Sequence, residues 1–149
     1  MIAAREAFVV PNDYDELFKT AGRQYGVDWL LLKAIAWQES TFRPAIMGDG
    51  GDAYGLFQIN TRWLNIENLG FNKTVNLLDP VISTNVAAAL IADNAKILRR
   101  RGIEPTTLRL AGAYNGGVGK IDADGRISGK VDIYAFTVAG RRDFLALIG

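Results

Sequence analysis

Glu39, in the string Gln38-Glu39-Ser40, is a carboxyl in an unfavourable setting. It follows Leu32, Ile35 and Ala36 by seven, four and three positions, so on a helix it shares their apolar face. Its helix ends close by, and a helix C-terminus disfavours negative charge. Burial and dipole both favour the protonated form, which a general acid near neutral pH requires. The alternative is a Glu39 that swings into solvent or pairs with Arg43. Composition narrows the chemistry further, because the chain has no cysteine and no histidine. That excludes thiolate nucleophiles, disulfides, Cys or His metal sites and any imidazole base. Proton transfer must rest on Asp, Glu, Lys or Tyr.

Two other strings stand out: Ala53-Tyr54-Gly55-Leu56-Phe57-Gln58-Ile59-Asn60 and Ala113-Tyr114-Asn115-Gly116-Gly117. Alone, the first reads as a strand entry and the second as a helix terminus, since Asn and Gly tolerate left-handed backbone. Between Glu39 and the first lies Gly48 to Tyr54 (GDGGDAY), too glycine-rich for a helix and read as an irregular loop or small hairpin. Asp122-Ala123-Asp124-Gly125 begins like a calcium loop, but Ile133 stands where the closing Glu belongs and no helix leads into it. The segment Lys120 to Lys130 reads instead as a hairpin around Asp124-Gly125. No metal or other cofactor is expected.

The elements that must position these residues are mainly helical. The 149 residues, 49% hydrophobic and 22% charged, suit one ordinary globular domain. Asp13 is placed to cap a helix through Tyr25 that stops at Gly26. Asp28 caps a second, Trp29 to about Ser40, apolar on nearly every face as a central buried helix would be. A short one follows Thr61. Asp79-Pro80 starts a long helix to about Arg101, with Ile82, Val86, Leu90 and Ile97 at helical spacing. Another spans about Pro105 to Tyr114. The last spans about Asp132 to Ile148, with Ile133, Phe136, Phe144 and Leu147 on one side. There are no repeats and no linker. No apolar stretch reaches the ~20 residues of a bilayer span, and Met1 to Val10 lacks the long apolar region of a secretory signal. Seventeen basic against 16 acidic residues give a formal +1, too balanced for a dedicated nucleic-acid binder. Arg99-Arg100-Arg101 reads as cations at a helix C-terminus.

Taken together, the order and separation of the three motifs resemble the family shared by soluble lytic transglycosylases and goose-type lysozymes, from about Tyr14 to Phe144. The resemblance implies a mainly α (α+β, lysozyme-like) fold, with a small β element lining a glycan cleft. It further implies one catalytic domain over residues 1–149, of which 1–12 form an N-terminal extension. Glu39 then matches the catalytic acid that protonates the glycosidic oxygen between N-acetylmuramic acid and N-acetylglucosamine in peptidoglycan. Ser40, Phe57, Gln58, Tyr114, Asn115 and Tyr134 match residues at the substrate. Ser40 would orient the carboxyl or the helix end, and Tyr134 would face the scissile sugar. For Tyr114 and Tyr134 the alternative is an ordinary core tyrosine.

A glycosidase normally needs a second carboxylate, whereas the resemblance implies that a lytic transglycosylase does not. There the substrate's acetamido group assists departure and the muramic acid 6-hydroxyl attacks, leaving a 1,6-anhydro end. Asp49 matches an aspartate that directs water in goose-type lysozymes, and Asp52 is a weaker spare. Their second aspartate is Asn60 here, and an amide cannot act as a base. The transglycosylase is therefore favoured, with the hydrolase kept open. The expected partner is the peptidoglycan glycan strand, with no nucleic acid and no membrane insertion. The stretch Val10 to Phe18, with Gly26-Val27 and Trp37 to Ser40, is similar to transglycosylase domains at the start of phage DNA-ejection proteins. A monomer or a component of a phage particle is expected to act on the bacterial wall, delivered in the virion or released as an endolysin. Rival classes are a glycan-binding module that has lost cleavage and a helical nucleic-acid module.

Overall fold

The computed structural model describes residues 8–149, so the first seven residues of the extension expected over 1–12 lie outside the described ones. Among the described residues there are five α-helices and one minimal sheet. The first, α1 (Asp15–Tyr25), closes on Gly26 in the left-handed conformation. Its N-terminus is not capped by Asp13. The capping position is Tyr14, with no side-chain hydrogen bond, and Asp15 is spent on an ion pair with Lys33 at 2.6 Å. Asp28 does cap α2 (Trp29–Ser40) by accepting from the Leu30 amide. Leu31, Leu32, Ala34, Ile35 and Ala36 of α2 are essentially inaccessible, which makes it the central helix. Lys33 is buried too, and is satisfied by Asp15 and by Asn12 Oδ1 at 2.9 Å.

After α2 comes an antiparallel sheet in the order β1-β2-β3: Met47–Gly48, Ala53–Tyr54 and Ile59–Asn60. Met47 pairs with Tyr54, and Ala53 with Asn60. The glycine-rich stretch is thus a small hairpin, with a 3-10 turn over Asp49–Gly51 at its tip. The helix expected after Thr61 is a 3-10 turn at Ile66–Leu69, capped by Asn65.

Asp79 caps α3 (Pro80–Arg100), and Pro80 occupies the first turn, where its missing N–H is harmless. At 21 residues and a mean hydropathy of 1.3, α3 is long and apolar enough to cross a bilayer, contrary to the sequence expectation. Over half of that stretch is buried against the rest of the protein, so it serves as a core helix. Next, α4 (Thr107–Gly116) begins two residues later than expected, because the Thr106 hydroxyl caps it. The 120–130 segment closes as a hairpin with one bridge, Ile121 to Ile127. Asp122 Oδ1 accepts from the amides of Asp124 and Arg126, so the loop itself uses that carboxylate.

Last, α5 (Asp132–Ile148) corrects a packing expectation. Ile133, Phe136, Phe144 and Leu147 do share a side, but that side is exposed. The helix instead packs on α2 and α4 through Ala135, Val138 and Leu145. Small side chains there allow close approach of the helices.

Candidate active site

Glu39 is the penultimate residue of α2, and the chain turns sharply just after it. Thr41 and Phe42 both take left-handed backbone, with φ of 51° and 61°. Such a conformation is costly for residues with a Cβ and persists only where surroundings enforce it. Ser40 Oγ donates to Ala36 O at 3.0 Å, inside the protein, and Arg43 Nε donates to Ser40 O at 2.9 Å. Arg43 is thus engaged with the helix end, and among the described residues no cation pairs with Glu39. Its Oε2 accepts a 2.7 Å hydrogen bond from the Tyr134 hydroxyl on α5. Burial raises its pKa from 4.5 to about 7, the Tyr134 hydrogen bond opposes that rise, and the charge of Asp49 adds to it. A carboxyl poised there can give a proton near neutral pH and later take one back.

Glu39 opens into a cleft of about 740 Å³, lined also by Asp49, Gln58, Asn60, Tyr114 and Asn115. The β hairpin supplies one group of these residues and the end of α4 another. Gln58 adopts a positive φ of 47°, and its Nε2 donates to Ile46 O and Gly55 O at 3.1 and 3.0 Å. Its amide nitrogen therefore ties the hairpin together. Asp49, at the hairpin tip with φ of 51°, accepts from Asn60 Nδ2 at 3.1 Å. Asp52 pairs instead with Arg62 at 3.7 Å. The Tyr114 hydroxyl donates to Phe57 O at 2.6 Å, pinning α4 to the segment before β3. Burial, with the charge of Glu39, pushes both Tyr114 and Tyr134 well above the usual tyrosine range. Both therefore act as neutral donors.

Of the residues singled out in the sequence, Glu39, Asp49, Gln58, Tyr114 and Asn115 meet at the cleft, and Tyr134 reaches it through its bond to Glu39. Two expected contact residues do not. Ser40 is turned inward to its own helix, and Phe57 is fully buried against the edge of Phe18, 5.7 Å away. The Phe57 backbone, not its ring, serves the site. Three lining residues have no part in the sequence reading: Trp63, Leu64 and Asn94. Trp63 is 80% exposed with the Arg62 guanidinium 5.4 Å from its ring, and Asn94 enters the cleft wall from α3. The signal for Trp63 was a bulky aromatic next to Arg62, with polar Thr61 and Asn65 at strand spacing on either side. Asn94 offered only a polar residue on a largely apolar helix.

Residues 16–137 match the transglycosylase SLT domain family. The chain belongs to this family of lytic transglycosylases. It is 34% identical over 101 residues to invasion protein IagB of Salmonella typhimurium, covering 65% of this chain and 59% of that one. It is also 34% identical over 116 residues to the peptidoglycan transglycosylase gp16 of Escherichia phage T7, covering 75% of this chain but 8% of gp16. The 70-kDa soluble lytic transglycosylase in complex with bulgecin A shares the fold. Its TM-score is 0.74 at 21% identity, over 93% of this chain and 25% of that one. The lytic transglycosylase Slt of Pseudomonas aeruginosa matches with a TM-score of 0.65 at 18% identity, over 91% of this chain and 22% of that one. The chain thus spans less than two thirds of IagB, and a quarter or less of gp16 and of the two solved transglycosylases.

Proposed function

We propose that residues 1–149 act as one lysozyme-like catalytic unit that cleaves the β-1,4 bond between N-acetylmuramic acid and N-acetylglucosamine as a lytic transglycosylase. Glu39 gives its proton to the glycosidic oxygen as the bond from C1 breaks, and the muramic acid acetamido oxygen assists at C1. The 6-hydroxyl oxygen then attacks C1 and passes its proton to the Glu39 carboxylate, which restores the acid and leaves a 1,6-anhydro end. The observation that carries this reading is a carboxyl lifted to about 7, facing a cleft and held by Tyr134. Asn115, exposed on the cleft, binds sugar substituents, while Gln58 and Tyr114 hold the cleft walls. Ser40 and the Phe57 carbonyl act as positioning groups.

A hydrolase using Asp49 to direct water is the second reading. It is favoured by the presence of Asp49 on the same cleft, where its charge bears on Glu39. Weighing against it, Asp49 is already engaged by the Asn60 amide, and Asn60 stands where a second aspartate would help. Mass spectrometry of muropeptides released from purified peptidoglycan tests the choice. Anhydro ends support the transglycosylase, and reducing ends labelled from heavy water overturn it. Similarity to the phage T7 transglycosylase supports action on the bacterial wall from a phage particle, which detection of the protein in purified particles would test.

A further inference from the structure

Asn94 lies one turn after Leu90 on α3, and both line the cleft with Trp63, Ala113 and Gly116. It is 5% exposed, and its Nδ2 has no acceptor among the described residues. An enclosed amide donor without a partner is destabilising, and Asn is also a poor helix residue. Leu or Ala would suit this apolar helix at neither cost. Such a residue in a cleft wall is matched to something that enters the cleft. Its neighbours indicate the chemistry, because an N–H donor set among apolar walls complements an acetamido group. The carbonyl oxygen accepts while the methyl packs on Leu90 or Ala113. The Nδ2 itself is enclosed as it stands, but the terminal torsion of Asn is soft, and a turn about it that exchanges the two amide positions presents the donor to a seated ligand. Trp63 adds an exposed aromatic face to the same cleft, suited to the CH surface of a pyranose.

We propose that Asn94 and Trp63 form a binding site for one N-acetylated hexosamine of the glycan. Asn94 takes the acetamido group and Trp63 the ring face. Neither residue takes part in the hydrogen bonds around Glu39, so the site serves binding rather than proton transfer. The inference rests on the glycan-cleaving function proposed above.

Kinetics on soluble glycan strands, alongside thermal melts, test it. Asn94→Leu removes the orphan donor at similar size, so it raises KM about ten-fold with kcat nearly unchanged, and the melting temperature does not fall. Trp63→Ala raises KM similarly. Asn94→Asp, nearly identical in shape but without the donor, repeats the KM effect should the Leu variant fail to fold. Competition with oligomers of N-acetylglucosamine and of unacetylated glucosamine supplies the second arm. The wild type favours the acetylated series, and Asn94→Asp loses that preference. A folded Asn94 variant with unchanged KM and unchanged preference overturns the inference while leaving the function intact. A wild-type protein that releases nothing from peptidoglycan overturns both.

Discussion

The Tyr134 hydroxyl, on the first turn of α5, donates a 2.7 Å hydrogen bond to Oε2 of Glu39, at the last turn of α2. The two residues are 95 positions apart in the chain. The bond acts in two opposing ways. It fixes the carboxyl, and it favours the charged form, so it holds down a pKa that burial pushes up. Replacing Tyr134 with Phe should therefore move the alkaline limb of the kcat/KM profile to higher pH. The same variant loses the positioning of the carboxyl, for which about ten-fold or more in kcat is expected. A pH–rate series on the two proteins checks both, and a limb that moves to lower pH would contradict this account.

Glu39→Gln should abolish turnover, by at least about 100-fold, yet make the fold more stable at alkaline pH. The sign follows from linkage. A carboxyl with a folded pKa of about 7 and an unfolded value of 4.5 holds its proton more tightly in the native state. Stability from this group is greatest below 4.5, declines as pH rises to about 7, and is flat above. The full difference is about 3 kcal/mol. Gln keeps an acceptor for Tyr134 and never ionises. Urea melts should show the variant ahead at pH 8, with the gap closed by pH 4.

How much of this was legible in sequence depended on whether the signal was local. The start of α3 was readable because Asp79 and Pro80 carry their own mechanism, a side-chain cap and a first-turn ring. Glu39 was readable because its apolar neighbours at helical spacing implied burial. The outward side of α5 was misread because period alone does not say which face is covered. Ala135 and Val138, small enough for close packing, settle it in favour of the other face. Ser40 and Phe57 sit inside recognisable motifs, but a motif does not fix where a side chain points. Trp63 and Asn94 share a cleft only through tertiary folding, so no spacing could have paired them.

Asp49→Asn separates the two cleavage chemistries without touching the acid. If water is not directed by Asp49, the variant still forms anhydro ends, and its turnover should stay within a few-fold of the wild type. Removing the Asp49 charge also takes away one cause of the raised Glu39 pKa, so the alkaline limb should move down. Loss of product of about 100-fold or more would instead be expected of a lost general base. Product mass and pH profile are read from the same digest series.

Tyr114→Phe probes the link between α4 and the cleft floor. The Tyr114 hydroxyl supplies the 2.6 Å bond to the Phe57 carbonyl, whose residue is fully buried. An unpaired buried carbonyl costs about 1–3 kcal/mol. Chemical denaturation should register that loss, with little change in the slope against denaturant.

Gly55 and Gly50 both take positive φ, 77° and 69°, but the space around them differs. A Cβ on Gly55 would meet Leu77 O at 2.3 Å and Ser83 Oγ at 3.3 Å, whereas nothing lies within 4 Å of one on Gly50. The Leu77 oxygen is backbone at the approach to α3 and cannot rotate aside. Gly50→Ala thus costs only the left-handed conformation, about 1 kcal/mol. Gly55→Ala adds overpacking at the point where the hairpin meets α3, for about 2–4 kcal/mol in total. At about 2–4 °C per kcal/mol for a chain of this size, thermal melts should distinguish the two readily. Gly55→Ala should also lower activity, since Gly55 O is one of the two acceptors that fix Gln58 at the cleft.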